Sequence, residues 1–277
     1  MYWKTSRRKL SLERPHVMGI LNVTPDSFSD GGKYLSVDDG LRHAETMVED
    51  GADIIDVGGE STRPGSKPIG AEEEIRRTTA VIEMIAKRFD IPISIDTTKA
   101  DVAQAAIDAG AEIVNDISGL RFDERIADVA ARSEAGLVLM HSRGAFETMH
   151  AQLLVDDILT EVRKGFHWAI ETARGHRIDD DQIALDIGLG FGKTFEQNLE
   201  LLAKLDKIVL EFQVFPMLVG ASRKSFIGKI LGGVPPNERI DGSIAAALIA
   251  IRNGAKIVRV HDVKETVAAI EHCQLEQ

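Results

Sequence analysis

Pro92-Ile-Ser-Ile-Asp-Thr-Thr-Lys-Ala-Asp-Val-Ala-Gln-Ala-Ala-Ile-Asp-Ala-Gly-Ala-Glu-Ile-Val-Asn-Asp-Ile117 contains a strand, a helix and a second strand in succession. Pro92–Ile95 is a short apolar run rich in isoleucine, which reads as a strand of a parallel sheet covered by helices. Lys99–Ala109 repeats apolar residues with helical spacing, and Gly110 follows where a helix needs a residue with positive φ. Glu112–Ile117 then returns to the strand pattern. The same unit recurs along the chain. Further apolar runs lie at Val17–Leu21, Asp53–Val57, Gly136–Met140, Ile183–Ile187, Met217–Val219 and Lys256–Val260. The helical stretches between and after them are Asp38–Asp50, Glu72–Arg88, Glu124–Ser133, Asp156–Arg174, Phe195–Leu205, Ile240–Arg252 and Lys264–His272. Gly51, Gly175 and Gly254 fall at further helix ends. Eight alternating units predict an α/β chain folded as a single (β/α)8 TIM barrel over residues 1–277. Met1–Pro15 is a lead-in, read as a short hairpin closing the barrel bottom. An open doubly wound sheet is the alternative that the pattern alone leaves.

Composition narrows the function. Among 277 residues, 33 Lys and Arg against 44 Asp and Glu give a formal net charge of −11. So acidic a chain lacks the basic footprint that supplies most affinity for nucleic acid. No apolar stretch reaches the roughly 20 residues of a membrane span. Met1–Pro15 has no apolar run of secretory type, and Cys273 has no partner for an internal disulfide. These features predict a cytoplasmic protein that binds neither nucleic acid nor membrane.

Polar side chains stand at or just past the C-terminal ends of all eight runs. They are Asn22, Asp56, Asp96, Asn115 with Asp116, His141, Asp186, Ser222, and Arg259 with His261. In a barrel those ends converge on one mouth, where active sites of this fold lie. Arg259 and His261 share one strand face by the two-residue period, pointing inward, while Val258 and Val260 face the helices. Two long connections, Thr24–Lys33 and Ser61–Lys67, exceed ordinary βα loops and read as lids or binding loops. The second carries Arg63, whose fork suits phosphate or carboxylate. Ala221–Ser225 places hydroxyls and cations before a helix, a common anion-binding arrangement. Gly188-Leu-Gly-Phe-Gly-Lys-Thr194 imitates a phosphate loop but fails its spacing, because the position that needs the first Gly is Ile187. His16, His43, His167 and His176 read as surface or packing histidines, and the histidines show no zinc spacing.

The stretch Gly19-Ile-Leu-Asn-Val-Thr-Pro-Asp-Ser-Phe-Ser-Asp-Gly-Gly32 resembles the opening motif of the dihydropteroate synthase family. The resemblance continues through Asp56–Gly65, Ser94–Thr97, Val114–Gly119, Leu139–His141, Gly190–Lys193, Gly220–Ser225 and Arg259–Val263, in the family's order over about residues 16 to 270. Two positions depart from the pattern: Ile187 stands where proline is usual and Ser142 where methionine is common.

The resemblance implies a (β/α)8 fold and a transferase of folate biosynthesis. That enzyme joins 4-aminobenzoate to 6-hydroxymethyl-7,8-dihydropterin diphosphate and releases diphosphate. It implies pterin recognition by Asp96, Asn115, Asp186, Lys224 and Arg259. The diphosphate falls to Asn22, Arg63, Arg259 and His261, with Asn22 a ligand for Mg²⁺. Thr62, Pro64, Phe191 and Ser222 fall to 4-aminobenzoate, the substrate that sulfonamides imitate. Asp96, Lys224 and Arg63 are the implied catalytic residues, and a homodimer through late helices is the implied assembly. A pterin-binding barrel of another activity, such as a methyltetrahydrofolate:corrinoid methyltransferase, would not need Thr62-Arg63 or Ser222-Arg223-Lys224.

Overall fold

In the computed structural model, residues 1–24, 37–62, 66–148 and 155–274 are described. Eight parallel strands close into a barrel: β3 (His16–Asn22), β4 (Ile54–Gly58), β5 (Ile93–Asp96), β6 (Ile113–Asp116), β7 (Gly136–Met140), β8 (Ile183–Asp186), β9 (Met217–Val219) and β10 (Ile257–Val260). Each pairs with its neighbours in chain order, and β10 closes the ring on β3, with Ile257 opposite His16. The open-sheet alternative is thereby excluded. Around the ring run α1 (Val37–Glu49), α2 (Ala71–Arg88), α3 (Ala100–Ala109), α4 (Arg125–Ser133), α5 (Ile158–Gly175), α6 (Phe195–Ala203), α7 (Leu205–Glu211), α8 (Ser225–Ile230), α9 (Ile240–Arg252) and α10 (Val263–Gln274). Among the described residues, no helix is long and apolar enough to cross a membrane.

Strand period sorts the two faces. Outward residues such as Val57, Ile95, Val114, Leu139, Leu185 and Val258 pack with the helices in one large core. Inward residues Met18, Ile54, Ile113, Val138, Ala184, Leu218 and Ile257 form a second apolar cluster inside the barrel. The lead-in completes that cluster. β1 (Tyr2–Lys4) and β2 (Lys9–Ser11) pair antiparallel, and Trp3 with Leu12 fills the lower end. The Trp3 indole N–H donates to Gln182 O at 2.8 Å, so the buried ring keeps its polar edge satisfied. Glu112, wholly buried below β6, accepts from Thr5 Oγ1 (2.7 Å) and from Arg8 Nε and Nη2 (3.0 and 2.8 Å), which latches the hairpin.

Two helix ends differ from expectation. Gly51, Gly110 and Gly254 adopt positive φ after their helices, whereas Gly175 remains inside α5 and Arg177 turns left-handed (φ 67°). The expected helix Phe195–Leu205 breaks at Lys204 and resumes as α7. Leu201, Leu202, Leu205 and Ile208 stay buried across the break, so the apolar pattern alone does not reveal it.

Candidate active site

Above the apolar plug the inward positions turn polar. The register sets Asn22 beside Gly58, Gly58 beside Asp96, and Asp96 beside Asn115 on neighbouring strands. Gly58 carries no side chain where a Cβ would lie 3.4 Å from Asn22 Oδ1 and 3.7 Å from Asp96 Cβ. Space is thus left between an amide and an acid.

One residue earlier in the inward series lies Asp56, fully buried. Its Oδ2 accepts from Arg259 Nε at 2.6 Å and from Asn115 Nδ2 at 3.1 Å. The same guanidinium donates through Nη2 to Asp96 Oδ2 at 2.7 Å. Asp96, Asn115 and Arg259 therefore meet, with Asp56 beneath them as the joint. Asp56 stood in the row of strand-end acids, yet no role fell to it in the sequence. Its position at the centre follows from the spacing Ile54–Asp56–Gly58 on one strand face.

Burial sets the electrostatics. Desolvation pushes the Asp96 carboxyl up to about 7, against the pull of Arg259 and with the nearby Asp56 charge adding to the rise. Asp186 is also raised, chiefly by burial, although Lys224 nearby favours its charge. Lys224 is brought down to about 8 by the same desolvation, partly offset by Asp186 and Asp96. Arg259 lies between carboxylates that hold it charged. The Lys224 ammonium donates to Leu189 O and sits 4.5 Å from the Phe191 ring centroid, a cation–π contact. Asp186 accepts from Gly188 N at 2.7 Å. At the next edge, Ser222 Oγ accepts from His261 N at 3.1 Å and lies 3.0 Å from His261 Nδ1.

The loop after β8 is held by Lys193, to which the sequence assigned no role. Its buried ammonium donates to His141 O, Gly188 O and Phe191 O at 3.0, 2.8 and 3.1 Å. Gly188 has φ 63°, and a Cβ there would come within 2.0 Å of His141 O. Only glycine permits β7 and β8 to exit so close together. The glycines serve this turn and the lysine serves its carbonyls.

Some strand-end residues do not join the mouth. Asp116 follows inward Asn115 and so points outward, where its carboxylate accepts from Ser118 N (2.8 Å) and Leu120 N (2.6 Å) and caps the turn. Burial lifts it to about 6. His141 follows inward Met140, and its ring faces Gly165 of α5. There it lines a side cavity of about 680 Å³ with Arg121, Ser142, Lys164 and Trp168. Arg223 forks onto Asp262, with Nε 3.0 Å from Oδ2, which leaves Lys224 as the cation of that segment turned toward Asp186. The two departures from the family pattern also lie off the mouth: Ile187 is in the outer core, and Ser142 Oγ accepts from Arg121 Nη2 at 2.7 Å.

Thr62 is half-buried on the chain leaving β4. Arg63, Pro64 and Gly65, and all of the expected Thr24–Lys33 lid beyond Thr24, lie outside the described residues. No cluster of three or more His, Cys, Asp or Glu able to hold a metal occurs among the described residues. Cys273 is exposed, and His167 and His176 pair with surface acids.

A family model described as pterin binding enzyme matches residues 18–261. The dihydropteroate synthase of Synechocystis sp. is 50% identical over 252 residues, covering 91% of this chain and 86% of that protein. The crystal structure of Yersinia pestis dihydropteroate synthase with a sulfonamide drug complex superposes with TM-score 0.93 at 44% identity, covering 100% and 99% of the two chains. The Xanthomonas albilineans dihydropteroate synthase with 4-aminobenzoic acid gives TM-score 0.93 at 41% identity, covering 100% and 98%.

Proposed function

The chain belongs to the dihydropteroate synthase family, and from that premise we propose which residues perform the reaction and in what order. It is a transferase that joins 4-aminobenzoate to 6-hydroxymethyl-7,8-dihydropterin diphosphate, forming 7,8-dihydropteroate and releasing diphosphate. The observation that carries the assignment of roles is the Arg259 fork across Asp56 and Asp96, with Asn115 on the same joint.

A pterin presents adjacent N–H donors on its aminopyrimidine edge, which carboxylates accept in pairs. Asp96, Asn115 and Asp186, each on an inward strand end, supply that recognition. Lys224 meets the ring carbonyl and Arg259 lies against the ring. Asn22, Arg63, Arg259 and His261 receive the diphosphate. Thr62, Pro64, Phe191 and Ser222 form the 4-aminobenzoate pocket.

An aryl amine is a modest nucleophile, so the displacement is loose. The C–O bond to diphosphate breaks with its electron pair leaving on oxygen, and the methylene carbon becomes cationic. The amine nitrogen then forms the C–N bond and sheds a proton. Asp96, beside the pterin, stabilises the developing positive charge, while Arg63 and Arg259 stabilise the departing negative charge.

Mg²⁺ fits this site only in part. One amide oxygen is a weak magnesium site, so Asn22 would hold the ion only with most of the affinity supplied by the substrate's diphosphate. When bound, Mg²⁺ neutralises charge on the leaving diphosphate. A cytoplasmic location accords with the lone thiol. A homodimer accords with exposed Leu210, Val214, Ile230, Leu231 and Ile249, which fall on or beside α7, α8 and α9.

The test is diphosphate release dependent on 4-aminobenzoate. Asp96→Asn should lower kcat by about 10²-fold or more, the scale of one lost electrostatic stabiliser. Unchanged turnover would remove Asp96 from the mechanism.

A further inference from the structure

An ionic knot beside the mouth has no task in the reaction as described. The chain leaves β4 at Gly58, passes Glu60 and Thr62, and returns through Ser66 and Ile69 to enter α2 at Ala71. Glu60 ties the two ends together: Oε1 accepts from Ile69 N at 2.7 Å, and Oε2 accepts from Lys99 Nζ at 2.9 Å. Inside that tie, Ser66 Oγ donates to Ser61 O at 2.5 Å, so Thr62 is bracketed twice. Lys99 Nζ also donates to Glu74 Oε2 at 2.6 Å, and Glu74 is fully buried in the first turn of α2. The exit of β4 abuts that helix, because a Cβ on Gly59 would lie 2.7 Å from Thr78 Cγ2. Lys99 itself follows Asp96 by three residues, between β5 and α3.

One ammonium thus joins the connection carrying Thr62, the helix behind it and the strand exit carrying Asp96. We propose that Lys99 is a positioning residue for 4-aminobenzoate: by bridging Glu60 and Glu74 it fixes Glu60, and through it the arm at Ile69, and so keeps Thr62 where the aryl amine is received beside the pterin. This rests on the assignment of Thr62 to the 4-aminobenzoate pocket. The physical warrant is that breaking one partner of a largely buried ion pair leaves the other charge uncompensated, and the chain moves to rehydrate it. Here the freer partner is Glu60, which stands outside any helix or strand, since Glu74 is fixed in a helix.

The measurement is steady-state diphosphate release by purified wild type, Lys99→Met, Lys99→Arg and Glu60→Gln, varying each substrate in turn and recording thermal midpoints. Lys99→Met should raise KM for 4-aminobenzoate tenfold or more while KM for the pterin diphosphate stays within threefold. Lys99→Arg should restore most of the difference. Glu60→Gln, which keeps the bond to Ile69 N but loses its charge, should shift KM for 4-aminobenzoate in the same direction by less. Equal changes in both KM values, or an unaltered KM for 4-aminobenzoate in folded Lys99→Met, would overturn the positioning role. If Lys99→Met does not fold, Glu60→Gln decides by the same split. Absence of 4-aminobenzoate-dependent release by wild type would overturn the functional reading itself, a different result from either.

Discussion

Arg259 donates to Asp96 through Nη2 at 2.7 Å while its Nε is engaged by Asp56 at 2.6 Å, so one guanidinium spans two strand-end carboxylates. Both contacts use the planar fork. A lysine at this position keeps the charge but offers a single point of contact. Arg259→Lys should therefore lower kcat/KM for the pterin diphosphate by about 10²-fold, equal to about 2.7 kcal/mol of transition-state stabilisation. The assay is diphosphate release under limiting pterin substrate. A loss of less than threefold would show that charge alone is needed.

The pH dependence follows from two buried groups. Asp96, raised to about 7, accepts a pair of pterin N–H groups with full charge only when ionised, so binding weakens as pH falls through that value. Lys224, lowered to about 8, loses its charge as pH rises through that value. The profile of kcat/KM should be a narrow bell between these limbs. Lys224→Arg should move the alkaline limb upward by more than one unit, because arginine does not deprotonate there. An alkaline limb that stays in place would assign it to another group.

Linkage gives a further expectation for Asp96. Its carboxyl is raised on folding, so between its ordinary range and about 7 the folded chain binds more protons than the unfolded chain. The contribution of this group to stability therefore falls as pH rises across that window. The thermal midpoint of Asp96→Asn should gain on that of wild type from pH 4 to pH 8. A difference that shrinks over the same range would mean that the pair with Arg259 outweighs the cost of burial.

Trp3 fills the barrel's lower end, within the apolar cluster that lies below the mouth. Trp3→Ala should cost about 3–5 kcal/mol in denaturant unfolding, the usual range for removing a buried aromatic ring. At 25 °C kcat should stay within threefold of wild type. A large fall in kcat with the folded barrel intact would mean that the plug shapes the site as well as the fold.

Magnesium affinity should depend on the leaving group. If Asn22 is the one protein ligand, as proposed, calorimetric titration of Mg²⁺ into the free chain should show no millimolar-range saturation, and saturation should appear once diphosphate is present. Asn22→Ala should weaken the second titration. Tight binding to the free chain would point to ligands other than Asn22.

The fold was legible because each unit repeats in the sequence, and all eight runs lie within one or two residues of their strands. Register parity explains what was misplaced. Asp116 and His141 each sit one residue beyond an inward position, so a row of polar strand ends includes residues on both faces. Asp56 was visible as a strand-end acid, but its place under Arg259 depends on residues 203 positions apart and on strand order. Lys193 was hidden because its partners are backbone carbonyls, which no side-chain motif records. Pterin and 4-aminobenzoate roles came from resemblance to a family, and the barrel pattern alone supplied none of them.

The most direct test is a crystal structure of the chain with 6-hydroxymethyl-7,8-dihydropterin bound. The heterocycle should lie above the Trp3 plug with its aminopyrimidine edge within hydrogen-bond distance of Asp96, Asn115 and Asp186, and Arg259 against its face. A pterin seated elsewhere, for example in the cavity beside His141, would contradict the account.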